Sequence, residues 1–85
     1  MISYSVFGEA RVAESLPRWK AAERERLIRF FHKLRTHPFP EGDYTEHDDI
    51  GRLLQVFVIG RHAIVFWVDH AIKEVKILDL KPAGN

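Results

Sequence analysis

The chain contains no cysteine, and this absence excludes several kinds of chemistry at once. A disulfide framework, a thiol nucleophile and a cysteine-ligated zinc site all require that residue. The sequence also lacks an apolar run near the roughly 20 residues that span a bilayer. Its start, Met1-Ile2-Ser3-Tyr4, has neither the basic nor the apolar region of a signal peptide. We therefore expect a cytoplasmic protein that does not associate with membranes and binds no metal or other cofactor.

Charge is nearly balanced overall but uneven along the chain. The formal net charge is +1. Residues 17–36 hold seven basic and two acidic side chains, a sum of +5, whereas residues 37–50 hold five acids and no lysine or arginine, a sum of −5. These blocks predict a basic helix and an acidic loop that face either each other or different partners. Solvated charge of both signs is the ordinary alternative.

The last third of the chain consists of three apolar segments separated by short polar breaks. They are Leu53–Ile59, Ala63–Val68 and Glu74–Leu80, with breaks that begin at Gly60-Arg61 and Asp69-His70. β-Branched and aromatic residues dominate these segments, as is typical of strands. A parallel return needs a crossover of a dozen or more residues, so these strands must run antiparallel as a β-meander.

The first of these strands is apolar on both faces. Alternation places Leu54, Val56 and Val58 on one face, and Leu53, Gln55, Phe57 and Ile59 on the other. A strand of this kind belongs inside a sheet, with something covering each face at least in part. The residues upstream must supply that cover.

The upstream residues predict one strand and two helical segments. Ile2–Phe7 alternates apolar and polar residues, which favours a short strand, and Glu9–Glu14 has room for one or two helical turns. Ser15 is the predicted N-cap of the main helix, with Pro17 near its first turn and Pro38 just beyond its end. The apolar stripe of that helix comprises Trp19, Ala22, Leu27, Phe30, Phe31 and Leu34.

These elements predict an α+β fold in which helices pack on one face of a small sheet. Their order is an N-terminal strand, two helices and a three- or four-stranded antiparallel meander, the fourth strand being an edge strand that starts at Tyr44. A chain of 85 residues buries roughly 60 to 65% of its unfolded surface, enough for one domain spanning residues 1–85. The other sheet face is expected to be concave or partly open, with Gln55, Lys76 or Arg61 emerging there.

Several motifs point to a known family. Leu16-Pro17 precedes a helix that ends in Leu34-Arg35-Thr36-His37-Pro38, and Gly51-Arg52 opens the meander. The run from Gly60 to Asp69, GRHAIVFWVD, is followed by Glu74-Val75-Lys76-Ile77-Leu78. In these features the chain resembles the RelE/ParE superfamily of bacterial toxins from type II toxin–antitoxin modules, also called plasmid-stabilisation proteins.

The resemblance implies a small growth-inhibiting toxin that a cognate antitoxin holds inactive by wrapping its helices and sheet. RelE-like members cleave mRNA in the ribosomal A site, using basic side chains on the concave sheet face and a C-terminal acid or base. ParE-like members keep the fold, lack that set of residues and inhibit DNA gyrase. The partners implied are thus an antitoxin and either the ribosome with its mRNA or gyrase.

This sequence matches the catalytic positions of the cleaving members only in part. They have a basic residue where the strand after the loop opens, and Arg52 stands there. They have a second arginine on the next strand, but this sequence has Ala63, and Arg61 in the preceding turn is the nearest substitute. Lys81 matches a third basic position after the last strand. The terminal Tyr or His of those members has no counterpart in Pro82-Ala83-Gly84-Asn85, so a histidine elsewhere would have to transfer the proton.

Two histidines are candidates for that role. RNA cleavage through the 2′-hydroxyl needs a base, cationic donors and an acid, and His62 and His47 qualify because imidazole titrates near neutral pH. For His62 the ordinary alternative is a solvent-exposed side chain at the end of a turn. His47 lies in Glu46-His47-Asp48-Asp49, which lacks an established metal-ligand spacing. Phe66 and Trp67 could stack on RNA bases, but they point to opposite faces and core packing is the favoured interpretation.

The basic helix is the expected docking surface for an antitoxin. Arg24, Arg29 and Lys33 carry charge that an acidic antitoxin segment would complement. The same helix could bind nucleic acid, although a net charge of +1 gives little long-range attraction.

Two functional hypotheses remain. The first is a ribosome-dependent, metal-independent mRNA endonuclease with a degenerate active site. Its candidate catalytic residues are Arg52, Arg61, His62 and Lys81. The second is a non-enzymatic, ParE-like binder that inhibits a topoisomerase or has lost toxicity. Ala63 and the missing terminal side chain favour this second hypothesis.

Overall fold

A computed structural model of the protein describes residues 3–37 and 42–83. Its elements, in chain order, are β1 (Ser5–Gly8), α1 (Ala10–Ser15), a 3₁₀ turn (Leu16–Arg18), α2 (Ala21–Thr36), β2 (Tyr44–His47), β3 (Leu53–Ile59), β4 (His62–Asp69) and β5 (Glu74–Pro82). Within the described residues, no helix combines the length and apolar character needed to cross a membrane. The predicted α+β class is confirmed.

The strands form one five-stranded sheet in the order β1-β5-β4-β3-β2. Strands β2, β3, β4 and β5 pair antiparallel in chain order, so the predicted meander and the edge strand at Tyr44 are both confirmed. Strand β1 joins the far edge, parallel to β5, with Ser5 opposite Glu74. The sheet is therefore mixed, because the chain leaves β1 for the helices and returns only after them.

Strand boundaries follow the sequence pattern closely. Strand β3 has the predicted bounds, β4 begins one residue earlier at His62, and β5 extends to Pro82. The predicted first strand is shifted, since it spans Ser5–Gly8 and its expected start, Ile2, lies outside the described residues. A register shift between Val65 and Phe66 interrupts the β4–β5 ladder.

The main core lies between the helices and one sheet face. Leu27 and Leu34 of α2 are fully buried against it, as are Ile64 and Phe66 of β4. The Phe30 ring lies 4.5 Å from that of Phe57 and 5.7 Å from that of Phe66, measured between centroids. Offset and edge-on ring pairs of this kind add to the free energy gained by burial. The predicted packing of the α2 stripe on the sheet is thus confirmed for its central residues.

The predicted start of the main helix was wrong. Ser15 is the last residue of α1, and its hydroxyl donates a hydrogen bond to the Val12 carbonyl at 2.8 Å rather than capping α2. Pro17 lies in the 3₁₀ turn, and α2 begins only at Ala21. The reason is Trp19, whose extended backbone breaks the helical path and whose ring is buried in the core. A buried aromatic outweighs the small preference of serine for an N-cap.

The apolar stripe also needs correction at its first two members, whereas Phe31 packs against the core as predicted, at its margin. Trp19 belongs to the core but precedes α2, and Ala22 is exposed. With α2 starting at Ala21, Ala22 lies five residues from Leu27, about 140° around the helix axis and away from the sheet. Phe31 is only partly buried. The predicted stop at Pro38 lies outside the described residues, although α2 does end nearby at Thr36.

These differences in burial predict different costs of truncation. Phe66→Ala should lower the free energy of unfolding by about 3 to 5 kcal/mol, because it empties a fully buried site. Phe31→Ala, at the margin of the same core, should cost less than half as much. Urea unfolding of the two variants measures both values, and equal costs would contradict the described packing.

Candidate functional site

The sheet face opposite the helices, here called the open face, carries a second, smaller apolar cluster. Leu54, Val56, Ala63 and Val65 are buried there, and Trp67, Leu78 and Ala83 pack around them. Ala63 occupies the position at which the cleaving toxins were expected to carry an arginine, and it is completely buried. The open face thus has a small apolar side chain at that position instead of a cation.

Two cations approach the Trp67 ring on this face. The Arg52 guanidinium carbon is 4.3 Å from the indole centroid, and the Lys76 ammonium is 5.2 Å from it. Both distances permit cation–π attraction, worth about 0.5 to 1 kcal/mol at exposed positions. Trp67 is only partly buried, so core packing holds for Phe66 but not fully for Trp67. Lys76 emerges on the open face as predicted, whereas Gln55 pairs with Phe66 and shares the helix-bearing face.

Arg52 is held by the carboxylate of Asp48. Its Nε donates a hydrogen bond to Asp48 Oδ2 at 2.8 Å. The other carboxylate oxygen accepts hydrogen bonds from the backbone N–H groups of Ile50, at 3.1 Å, and Arg52, at 2.8 Å. Gly51 supplies the positive φ of 82° that the turn requires. Asp48 therefore both shapes the β2–β3 turn and neutralises the cation that follows it.

The surroundings of Asp48 stabilise its charged form. Partial desolvation acts to raise its pKa, but the two backbone hydrogen bonds and the charge and side-chain bond of Arg52 together hold the pKa below the ordinary value of 3.8. The carboxylate is therefore ionised throughout the physiological range and remains a constant partner for Arg52.

Lys81 is paired in a similar way with Glu46. Its Cα lies opposite Ala63 on β4, yet its ammonium donates a hydrogen bond to Glu46 Oε1 on β2 at 2.8 Å. The lysine side chain therefore extends across the open face from β5 towards β2. The hydrogen bond to Glu46 raises the pKa of Lys81 above 10.5, against a smaller opposing effect of desolvation.

Arg61 is distant from Arg52. It lies in the β3–β4 turn beyond the Ile59–His62 pair, whereas Arg52 directly precedes Leu53 at the other end of β3. Six residue steps at about 3.3 Å each separate the ends of this strand by roughly 20 Å. The structure does not bring these two arginines together around one phosphate.

His62 lies on the other face of the sheet. Its ring stacks on Trp19 with centroids 3.7 Å apart and planes inclined by 14°, and its Nδ1 lies 2.9 Å from Glu23 Oε2. The side chain is 25% exposed, so the expectation of a freely solvated turn residue was wrong. Gly60 makes this arrangement possible, because a Cβ there would lie 2.5 Å from Glu23 Oε1. His62 is thus separated by the sheet from Arg52 and Lys81.

The other histidine candidate is also on the helix-bearing side. His47 is exposed on β2 and pairs with Leu53, whose side of the sheet is that of Gln55 and Phe57. Across residues 3–37 and 42–83, no three histidine or acidic side chains are grouped in a way that could hold a metal ion. The strand instead separates His47 from its neighbours Glu46 and Asp48, which turn to the open face.

The three predicted antitoxin contacts are divided between two sides of α2. Arg29 and Lys33 border a shallow groove of about 290 Å³. Its other lining residues are Arg26, Phe30, Phe57 and Ile59. Arg24 lies elsewhere, with its Nη1 donating a hydrogen bond to the Trp19 carbonyl at 3.3 Å. The groove combines an apolar floor with a cationic rim.

The comparisons with known proteins bear on the fold. No family model and no curated protein matches the sequence. A solved structure does match: the RelE chain of the archaeal RelE–RelB complex from Pyrococcus horikoshii OT3, with a TM-score of 0.83 over 98% of both chains and 24% sequence identity. The two chains therefore share one fold, which in this chain consists of five strands with helices on one face. The chain has the RelE fold, as its motifs predicted.

The Asp48 turn generates a pH prediction. A carboxyl whose pKa is lower in the folded state stabilises the protein above its unfolded pKa, and this contribution is lost as pH falls through the folded value. The unfolding free energy of the wild type should therefore exceed that of Asp48→Asn above about pH 4. The difference should shrink as the pH is lowered further. Urea melts at several pH values measure it, and a difference that grows towards low pH would contradict the described turn.

Proposed function

We propose that this chain is the toxin of a type II toxin–antitoxin module and that it acts by binding a target protein, as ParE-like toxins do, rather than by cleaving mRNA. The RelE fold supports the toxin assignment. The observation that carries the non-cleaving mechanism is the separation of the candidate catalytic residues. Arg52 and Lys81 lie on the open face, Arg61 lies in a distant turn, and His62 lies behind the sheet.

The chemistry of cleavage explains why this separation matters. A general base must come within about 3 Å of the proton it removes, directly or through one water. His62 is held on the opposite side of the sheet by Trp19 and Glu23. Arg52 and Lys81 are already paired with carboxylates, which reduces their power to stabilise a developing phosphate charge.

DNA gyrase is the expected target, and it allows a direct test. The purified protein should inhibit supercoiling by gyrase in a dose-dependent way, and its induction in cells should raise the DNA-damage response. Relaxation by a type I topoisomerase in the same buffer serves as the control and should be unaffected. If gyrase remains fully active at a large excess of the protein, gyrase is not the target.

A cleaving function is the second candidate, and one observation favours it. Arg52 and Lys76 flank a partly exposed indole, an arrangement suited to a phosphate beside a stacked base. In that case Arg52→Ala should lower mRNA cleavage by roughly 10- to 1,000-fold without changing the melting midpoint. The absence of any cleavage by the wild type would exclude this candidate.

The proposed partner is an acidic antitoxin that uses the groove beside α2. The neighbour with this fold was solved as a complex with RelB. Here the groove has apolar side chains from Phe30, Phe57 and Ile59 beneath Arg29 and Lys33. This composition suits an amphipathic segment with acidic residues along one edge.

The groove predicts salt-dependent binding of the antitoxin encoded beside this chain. Arg29→Ala and Lys33→Ala should each weaken binding about two- to fivefold at low salt and less at high salt, because exposed ion pairs are screened. Arg18→Ala, in the exposed 3₁₀ turn, is the matched control and should have no effect. Calorimetry at several salt concentrations measures these changes. An affinity that does not depend on salt would show that the charged side chains of α2 do not contact the antitoxin.

A further inference from the structure

The open face contains both the cations of a nucleic-acid surface and the carboxylates that neutralise them. Arg52 and Lys81 each contact one carboxylate oxygen at 2.8 Å. Glu46 belongs to β2, and Asp48 directly follows the last residue of that strand. The two acids are thus two residues apart in extended chain, and their Cα atoms lie roughly 7 Å apart. One short acidic segment thus occupies two cations, one directly before β3 and one on β5.

Without these acids the face would suit single-stranded nucleic acid. Such strands bind where aromatic side chains stack on bases beside cations that contact phosphates. Trp67 is partly exposed and lies within 5.2 Å of both Arg52 and Lys76. The Nε of Arg52 and the ammonium of Lys81 donate instead to carboxylates, whose negative charges neutralise the two cations and would repel a phosphate placed beside them.

We infer that Glu46 and Asp48 are specificity-determining residues that exclude RNA from the open face by acting as internal substitutes for phosphate. The inference deepens the proposed non-cleaving function and rests on it. It explains how a toxin fold can retain a cationic, aromatic sheet face and still bind a protein instead of a nucleic acid.

The exposure of these ion pairs makes the exchange of partners feasible. Lys81 and Glu46 are 39% and 34% exposed, and Arg52 is 33% exposed. Pairs in contact with water stabilise a fold by only about 0 to 1 kcal/mol, so replacing the carboxylates should leave the fold intact. Asp48→Asn also keeps an amide oxygen that can accept the backbone hydrogen bonds of Ile50 and Arg52.

The test compares RNA binding by the whole chain and by a double variant. Glu46→Gln with Asp48→Asn changes the net charge from +1 to +3 and frees both cations. The probe is a fluorescently labelled oligouridine of about ten nucleotides, a length within the usual site size. Fluorescence anisotropy should show affinity about tenfold tighter than that of the wild type. The slope of log affinity against log salt should steepen by about 1.4, for two added phosphate contacts.

A matched control separates local from general charge. Glu14→Gln with Glu25→Gln gives the same net charge but removes exposed carboxylates from the helices. It should change the affinity less than threefold. Equal tightening in both double variants would overturn the inference, as would no tightening in the open-face variant.

Two further variants complete the design. Trp67→Ala added to the open-face double variant should abolish the gain, and a gain that persists would place RNA elsewhere and overturn the inference. If the double variant does not fold, Glu46→Gln alone should steepen the slope of log affinity against log salt by half as much. An unchanged slope in that single variant would also overturn the inference. The proposed function has a separate test, because mRNA cleavage by the wild type in cells would contradict it. RNA binding by the variants does not measure that cleavage.

Discussion

The rest of the structure depends on covering both faces of the central strand β4. Its residues 63–66 are all buried, so both faces of the sheet must be covered at this strand. Helices α1 and α2 cover one face. On the other, Trp67, Leu78 and Ala83 pack around the buried residues, the Arg52 guanidinium lies over Trp67, and Lys81 reaches across to Glu46. Arginine and lysine cover apolar surface in this way while keeping their charged ends in water.

This cover links the stability of the fold to the chemistry of the open face. Lys81 extends from β5 to reach Glu46 on β2, and Arg52 lies over the Trp67 ring with Asp48 bound to its Nε. Cations held in this way shield an apolar cluster and are less available to a substrate phosphate. Meanwhile His62 packs with Trp19 on the helix side, where it helps to close the other layer. The same packing that satisfies β4 thus separates the groups that cleavage would need.

Much of the fold was predictable because local patterns determine it. Alternation of apolar residues located the three meander strands to within two residues, and short turns fixed their antiparallel order. The start of α2 was not predictable from Ser15 and Pro17, since burial of Trp19 decides it. The parallel pairing of β1 with β5 joins residues about 70 positions apart and leaves no local trace.

The candidate site was less predictable, for a related reason. Arg52, Lys76 and Lys81 could be identified as cations of the strands, but their neutralising partners depend on the register of β2. Glu46 and Asp48 are two residues apart and therefore lie on the same face of an extended chain. This spacing points to the open face only once β2 is known to pair with β3. The stacking of His62 on Trp19 requires the position of the 3₁₀ turn, which the sequence pattern misplaced.

The central claim, that this RelE-like fold does not cleave mRNA, is tested by mapping the ends of ribosome-bound mRNA after the protein is induced. The separation of Arg52, Arg61 and His62 predicts footprints that match those of uninduced cells while growth stops. Cuts at fixed positions within A-site codons, lost in Arg52→Ala, would contradict it.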